Sequence, residues 1–285
     1  MYFYFGLVSR RKKIMKQILS WSMVFIVIIS LQPAVIAQAQ DSTKKIEAGQ
    51  ELALKLANPL VSMISVPFQF NMMVGVGPYN GSQLLTNFQP VIPFKIGKVN
   101  IITRTIVPFI ENRNVFEQGS TTFGLSDINF SAFITPAKPG KMIWGIGPAI
   151  TFPTATASYL GAEKWAAGPT MAFLKQTKSG WTYALLARQI WSFAGSKDVD
   201  NVSPFYINPG VGHSFKSGAG LGGNFEISGD WNNLSTQVFL NLNGSMVSKF
   251  GKQPVSFVIG PRIPMTAETI GDWGLRVGFT LIFKQ

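Results

Sequence analysis

Few side chains in this sequence are equipped for chemistry, and their kinds narrow the options at once. There is no cysteine and a single histidine, which excludes a thiolate metal site, a cysteine nucleophile, a disulfide-stapled scaffold and a cluster of histidine ligands. The histidine, His213, precedes Ser214. A serine hydrolase needs serine and base within hydrogen-bond reach and a third group to orient the base. Neighbours on a strand point to opposite faces, so Ser214 cannot serve His213, and a lipid hydrolase stays open only if the serine comes from an adjacent strand. The run Gly218-Ala219-Gly220-Leu221-Gly222-Gly223 satisfies G-x-G-x-x-G. It follows a turn and opens a strand, so it offers no helix N-terminus to a pyrophosphate, and close backbone packing is the plainer reading. No catalytic, cofactor-binding or metal-binding residue is assigned.

Arginines carry more information. Arg104, Arg188, Arg262 and Arg276 each fall inside a segment of alternating hydropathy, and the last three are out of phase with the large aromatics around them. In a membrane-spanning strand, an arginine facing lipid at mid-depth costs about 2 to 4 kcal/mol, so all four are expected to point inward. Acidic candidates for the same interior are Asp127, Glu226 and Asp230, with Gln69, Asn71, Asn87, Gln89, Asn129 and Asn224 as neutral company. Two readings are open: a pairing network that braces the wall from within, or a constriction that selects solutes by charge.

The elements that must position these residues are strands. In Leu221, Gly223, Phe225 and Ile227 one face is apolar, while Gly222, Asn224, Glu226, Ser228 and Asp230 make the other small or polar. Trp273, Leu275, Val277, Phe279, Leu281 and Phe283 repeat the pattern against Gly274, Arg276, Gly278 and Thr280. The same alternation marks about twelve segments: 64–76, 83–95, 99–111, 121–136, 142–153, 163–175, 180–194, 203–215, 219–231, 235–248, 253–264 and 272–284. Most have the ten or so residues that a tilted membrane strand needs.

Connections between them alternate in length and charge. The short ones hold Lys95 and Lys98, Lys138 and Lys141, Lys175 and Lys178, Lys216, and Lys249 and Lys252, whereas the longer ones hold Glu111, Glu117, Glu163, Asp198, Asp200, Glu268 and Asp272. Strands running alternately up and down place all the short turns at one end and all the long loops at the other, as in an outer-membrane barrel. Trp144 and Trp181 lie near the basic-turn end, and Trp165, Trp191, Trp231 and Trp273 near the acidic-loop end, which makes two aromatic girdles. The expected fold is therefore an all-β antiparallel transmembrane β-barrel of about twelve strands spanning residues 60–285. A soluble sandwich or lipocalin-like barrel also alternates, but its outward faces would be polar, and here the larger side chains are on the apolar face. Gly-Pro pairs at Gly77-Pro78, Gly147-Pro148, Gly168-Pro169 and Gly260-Pro261 remove ladder donors. They are expected to mark bulges or bends; the alternative is a lateral portal for apolar solutes.

Ahead of the barrel, Thr43 to Asn58 is rich in helix formers and is stopped by Asn58-Pro59, so residues 40–59 form a short helical segment that could plug the periplasmic mouth. Further upstream, Arg10, Arg11, Lys12, Lys13 and Lys16 precede an apolar run from Ile18 to Leu31, followed by Ala37 and Ala39. That order predicts a signal peptide over 1–39 with cleavage after Ala39, against the alternative of a retained anchor helix; a start at Met15 instead of Met1 would give a leader of more typical size. Charged residues make up 13% of the chain, about half the usual share in a soluble domain. Much of the net charge of +12 sits in the leader, and the remainder is too scattered to indicate nucleic acid.

Particular strings carry a family resemblance. Leu56-Ala57-Asn58-Pro59 with Ile64-Ser65-Val66-Pro67-Phe68-Gln69, then Gln89-Pro90-Val91-Ile92-Pro93, Arg104-Thr105-Ile106-Val107-Pro108 and Gly124-Leu125-Ser126-Asp127 are the first of them. Pro153-Thr154-Ala155-Thr156, Leu160-Gly161-Ala162-Glu163-Lys164-Trp165, Trp191-Ser192-Phe193-Ala194-Gly195, Phe250-Gly251-Lys252-Gln253-Pro254-Val255 and Trp273-Gly274-Leu275-Arg276 continue the series. Together they resemble the bacterial outer-membrane β-barrel family named for the MetA pathway of phenol degradation, over almost all of the chain past the leader. The resemblance implies a transporter fold with no catalytic residues and no cofactor, and it favours aromatic or hydrophobic solutes. One departure is at the end, where Phe283 is followed by Lys284 and Gln285, while outer-membrane strands commonly finish on the aromatic.

The leading expectation is thus a passive channel or transporter for small organic compounds in the outer membrane of a Gram-negative bacterium. Its partners would be outer-membrane lipids and lipopolysaccharide, the barrel-assembly machinery and a small-molecule solute. A closed structural or ligand-binding barrel without transport is the alternative, and a lipid hydrolase the third.

Overall fold

The computed structural model describes residues 50, 51, 53, 54, 63–138, 140, 142–251 and 253–283. The expected leader and most of the 40–59 segment lie outside them. Fifteen strands follow one another: β1 (Ile64–Val76), β2 (Gly81–Phe88), β3 (Val91–Ile96), β4 (Val99–Arg113), β5 (Thr121–Leu125), β6 (Ile128–Pro136), β7 (Ile143–Phe152), β8 (Lys164–Gln176), β9 (Trp181–Gln189), β10 (Trp191–Gly195), β11 (Pro204–Ser214), β12 (Ala219–Asp230), β13 (Ser235–Phe250), β14 (Gln253–Pro264) and β15 (Trp273–Phe283).

Three of these breaks are nominal. Gln89 N–H donates to Pro67 O, Ser126 N–H to Pro108 O and Ile190 N–H to Pro204 O, at 2.9, 2.8 and 3.1 Å. In each case the residue opposite is a proline, which has no N–H to return, so the rung is half made and the strand is interrupted without leaving the wall. β2 with β3, β5 with β6, and β9 with β10 are therefore single staves, and the barrel has twelve. Every ladder is antiparallel. The ring closes where β15 pairs with β1, from Ile64↔Phe283 to Val74↔Trp273, while β8 pairs with both β7 and β9. Closure leaves no free edge, the condition under which strands can stand in hydrocarbon.

The Gly-Pro pairs have a different role from the bulges expected. Between β13 and β14 the ladder stops at Asn241↔Arg262 and resumes at Gly244↔Ile259; between β6 and β7 it stops at Ser131↔Ala149 and resumes at Ile134↔Ile146. Equal numbers of residues are skipped on both strands, so register is kept and no residue is inserted. At Gly260, Gly147 and Gly168 a Cβ would overlap the carbonyl oxygen of Leu242, Ala132 and Gln189 respectively. Glycine lets the neighbouring strands stay in direct contact where proline removes the bond, which leaves no lateral portal at these pairs. True bulges occur near the loop-end rim, at Val74/Val76 around Gly75 and at Ser192/Ala194, and also at the β5–β6 break, where the register against β4 shifts by one between Phe109↔Leu125 and Ile106↔Asn129. Gly77-Pro78 simply lies in the β1–β2 turn, with Gly77 at φ +71°.

The outward face of the strands carries large apolar side chains. On β8, Trp165, Met171 and Phe173 are exposed while Ala166, Ala172 and Leu174 are buried, the inverse of a soluble barrel. Trp144 and Trp181 stand exposed at the turn end, and Trp165, Trp191, Trp231 and Trp273 at the loop end. Inside, two apolar layers fill the bore. Val91, Ile102, Phe133 and Ala172, with Ile143 and Leu186, form one in the turn-end half. Met73, Val76, Val115 and Phe239, with Ile270, form the other near the loop end.

Candidate functional site

Between those layers lies a cavity of about 360 Å³ in which three arginines and one glutamate are the charged lining. Strand alternation puts them there. Arg104 shares a face of β4 with Ile102, Arg188 a face of β9 with Leu186, and Glu226 is out of phase with exposed Phe225 on β12.

One half of the site is an ion-paired cluster. Arg262 on β14 reaches past β13, where its Nη1 donates to Asn241 Oδ1 at 3.0 Å, and pairs with Glu226 Oε2 on β12. Its guanidinium carbon lies 3.6 Å from the centre of the Phe239 ring. Arg276 on β15 brings Nη2 to 2.8 Å from Glu226 Oε1, a charge contact without hydrogen-bond alignment. Arg276 Nε donates to Asn71 Oδ1 at 2.7 Å. Side chains of Arg262 and Arg276 are 9% and 8% exposed, so this is a buried triad, and removing one member would strand a charge.

The other half is held by amides. Arg104 Nη2 donates to Gln89 Oε1. Gln89 Nε2 donates onward to Gln69 Oε1 at 3.5 Å, and Gln69 Nε2 to Asn71 Oδ1 at 3.2 Å, which ties Arg104 to the acceptor that also takes Arg276. Arg188 spans β8 and β7 to donate from Nη1 to Asn129 Oδ1 on β6 at 2.6 Å. Thr151 Oγ1 donates to the same oxygen at 2.8 Å.

Not every residue expected in the interior joins this network. Asp127 lies at the β5–β6 interruption, where its two carboxylate oxygens accept from Ala155 N–H at 3.2 Å and Ala162 N–H at 2.7 Å and so fasten the β7–β8 loop. Asp230 accepts from Ser203 N–H at 3.0 Å and Asn232 N–H at 2.8 Å at the loop rim. Short acidic side chains beside loops find backbone donors closer than arginines. Asn87 lines the cavity, and Asn224 accepts from Asn243 at 3.3 Å. Arg276 stands behind the cavity surface rather than on it. His213 faces outward in the turn-end aromatic belt, with Nε2 3.0 Å from the Ser179 carbonyl and its ring against Trp181 and Phe215. Among the described residues no group of three acidic or histidine side chains could hold a metal.

Sequence reasoning missed Tyr206, which lines the cavity opposite Arg188, although the alternation of β11 could have found it. It also missed Ile270, which a loop turned inward brings to the bore through Thr269 Oγ1 accepting from Val238 N–H at 2.9 Å; no periodicity marks that. At the turn end, residues 50, 51, 53 and 54 are helical. Gln50 Nε2 donates to Ser214 O at 2.7 Å, and Gln176 Nε2 donates to Leu54 O at 2.6 Å.

Comparison with known proteins fits this geometry. A family model described as "Putative MetA-pathway of phenol degradation" matches residues 79–230. Among solved structures, an outer membrane channel from Pseudomonas putida is similar in fold at 11% identity, with a TM-score of 0.60, covering 78% of this chain and 96% of that one. The beta domain of the Bordetella autotransporter BrkA matches more loosely, at 8% identity and a TM-score of 0.41, over 77% of this chain and 98% of that one. No curated protein matches in sequence.

Proposed function

The chain belongs to the family of the MetA pathway of phenol degradation, and from that premise we propose that it is an outer-membrane channel admitting small organic compounds by passive diffusion. The observation that carries this reading is a closed wall with an apolar exterior around a cavity lined by both charged and apolar side chains. That exterior supports a place in a bilayer, and an even-staved barrel with short basic turns and longer loops supports the outer membrane, with its lipids and lipopolysaccharide as surroundings. The family supports aromatic or hydrophobic solutes, and His213 Nε2 lies 3.0 Å from the backbone carbonyl of Ser179 rather than on a hydroxyl.

One observation favours the second reading, a ligand-binding barrel without transport. The turn-end layer is tightly filled, with Ile102 wholly buried, and Gln50 and Leu54 are hydrogen-bonded to Ser214 and Gln176 at the same end. Purified mature protein in planar bilayers decides between them. Discrete conductance steps in potassium chloride are expected from a channel; a silent bilayer despite heat-modifiable, folded protein would favour the closed barrel.

A further inference from the structure

The charge in the cavity does not balance, and the imbalance is local. Arg262 and Arg276 share the carboxylate of Glu226. Among the described residues, no carboxylate lies within ion-pair distance of Arg104 or Arg188. Their partners are the neutral side chains of Gln89 and Asn129, and Arg188 Nε is buried without any partner. Cations in such a place are costly unless an anion joins them.

The surroundings say which anion. Leu85, Phe133, Leu186, Phe239 and Ile270 line the same space among its amides and hydroxyls, so apolar surface lies alongside the two guanidinium groups. A guanidinium fork matches a carboxylate in two parallel hydrogen bonds, while apolar walls take up a ring or chain. Inorganic anions would leave those walls unused, and neutral arenes would leave the arginines uncompensated. Tyr206, opposite Arg188 in the β9–β11 ladder, adds a hydroxyl to the same lining.

We propose that Arg104 and Arg188 form a lumenal binding site for small organic carboxylates that carry one charged end on an apolar body. The site rests on the channel reading above, whose substrate class it names, but binding can be measured without transport.

The test is calorimetric titration of the folded mature protein in detergent with sodium benzoate, benzamide and inorganic phosphate, beside conductance measurements on the same preparation. Benzoate is expected to bind at least about tenfold more tightly than either of the others, and Arg188→Gln to weaken benzoate by about tenfold or more while leaving benzamide unchanged. Equal binding of benzoate and benzamide, phosphate binding as well as benzoate, no benzoate binding, or an Arg188→Gln variant with unaltered affinity would each overturn the proposal. If Arg188→Gln does not fold, Arg104→Gln carries the same expectation, and the contrast of benzoate with benzamide on the unaltered protein decides alone. Benzoate binding without conductance would keep the site and remove the channel; conductance without benzoate binding would do the reverse.

Discussion

Arg276 Nε donates to Asn71 Oδ1 at 2.7 Å across the seam where the last strand meets the first. The two residues are 205 positions apart and directly opposite in the ladder. Arg276 also reaches Glu226, so one side chain links the seam to the interior of β12.

Arg276→Gln is therefore expected to lower stability rather than alter selectivity. Loss of one member of a buried ion cluster costs on the order of 3 kcal/mol, to be read as a lower unfolding temperature of the heat-modifiable band. Reversal potential in a salt gradient should stay put, since Arg276 lies behind the cavity surface. A shifted reversal potential with unchanged melting would assign the residue to selectivity instead of bracing.

Glu226→Gln should act on both quantities. It removes the carboxylate shared by Arg262 and Arg276 and leaves the arginines of the bore unopposed. A narrow low-dielectric lumen amplifies each fixed charge, so the reversal potential should move toward greater anion preference. Movement toward cations would mean that Glu226 does not face the conducting path.

Phe133→Ala probes the turn-end apolar layer. Phe133 is buried against Ile102 and Ala172, and its truncation should cost about 3 to 5 kcal/mol while opening the bore. Single-channel conductance should rise. If it does not, the constriction lies elsewhere.

Gly260→Ala tests the contact that keeps the wall shut beside Pro261. A Cβ there would overlap the Leu242 carbonyl, so the variant should lose much of its folded, heat-modifiable form. Gly140→Ala, where a Cβ meets nothing, should fold normally; equal yields of the two would show that β13 and β14 can part at no cost.

Orientation has its own check. Cysteines placed at Gly119 and Asp198, in the longer loops, should react with a membrane-impermeant thiol label on intact cells, and one placed at Gly140 in a short turn should not. The opposite pattern would invert the barrel.

Strands were legible because period two is imposed by the pleat itself. The segments 64–76, 121–136 and 253–264 begin and end where β1, the β5–β6 stave and β14 do, and the basic turns and acidic loops sorted by end as drawn. Inward placement of Arg262, Arg276 and Glu226 followed from the same alternation. Partner choice did not, because it depends on which neighbour is nearest in three dimensions: Asp127 and Asp230 went to backbone amides of adjoining loops, while Gln89 and Asn129 took the arginines. The apolar layers inside the bore were also hidden. Alternation tells which face a residue is on, but says nothing of whether Phe133 meets water or Ile102 across the interior.

With an even number of staves, Ile64 and Phe283 stand side by side at the short-turn rim. In the channel reading, neither end of the barrel wall then has to be translocated when it enters the bilayer. Only the hairpin tips must cross, and the one between Phe152 and Lys164 is secured afterwards by Asp127 on the far side. Cargo fused ahead of β1 would accordingly stay in the compartment from which the chain is delivered, whatever the lumen carries.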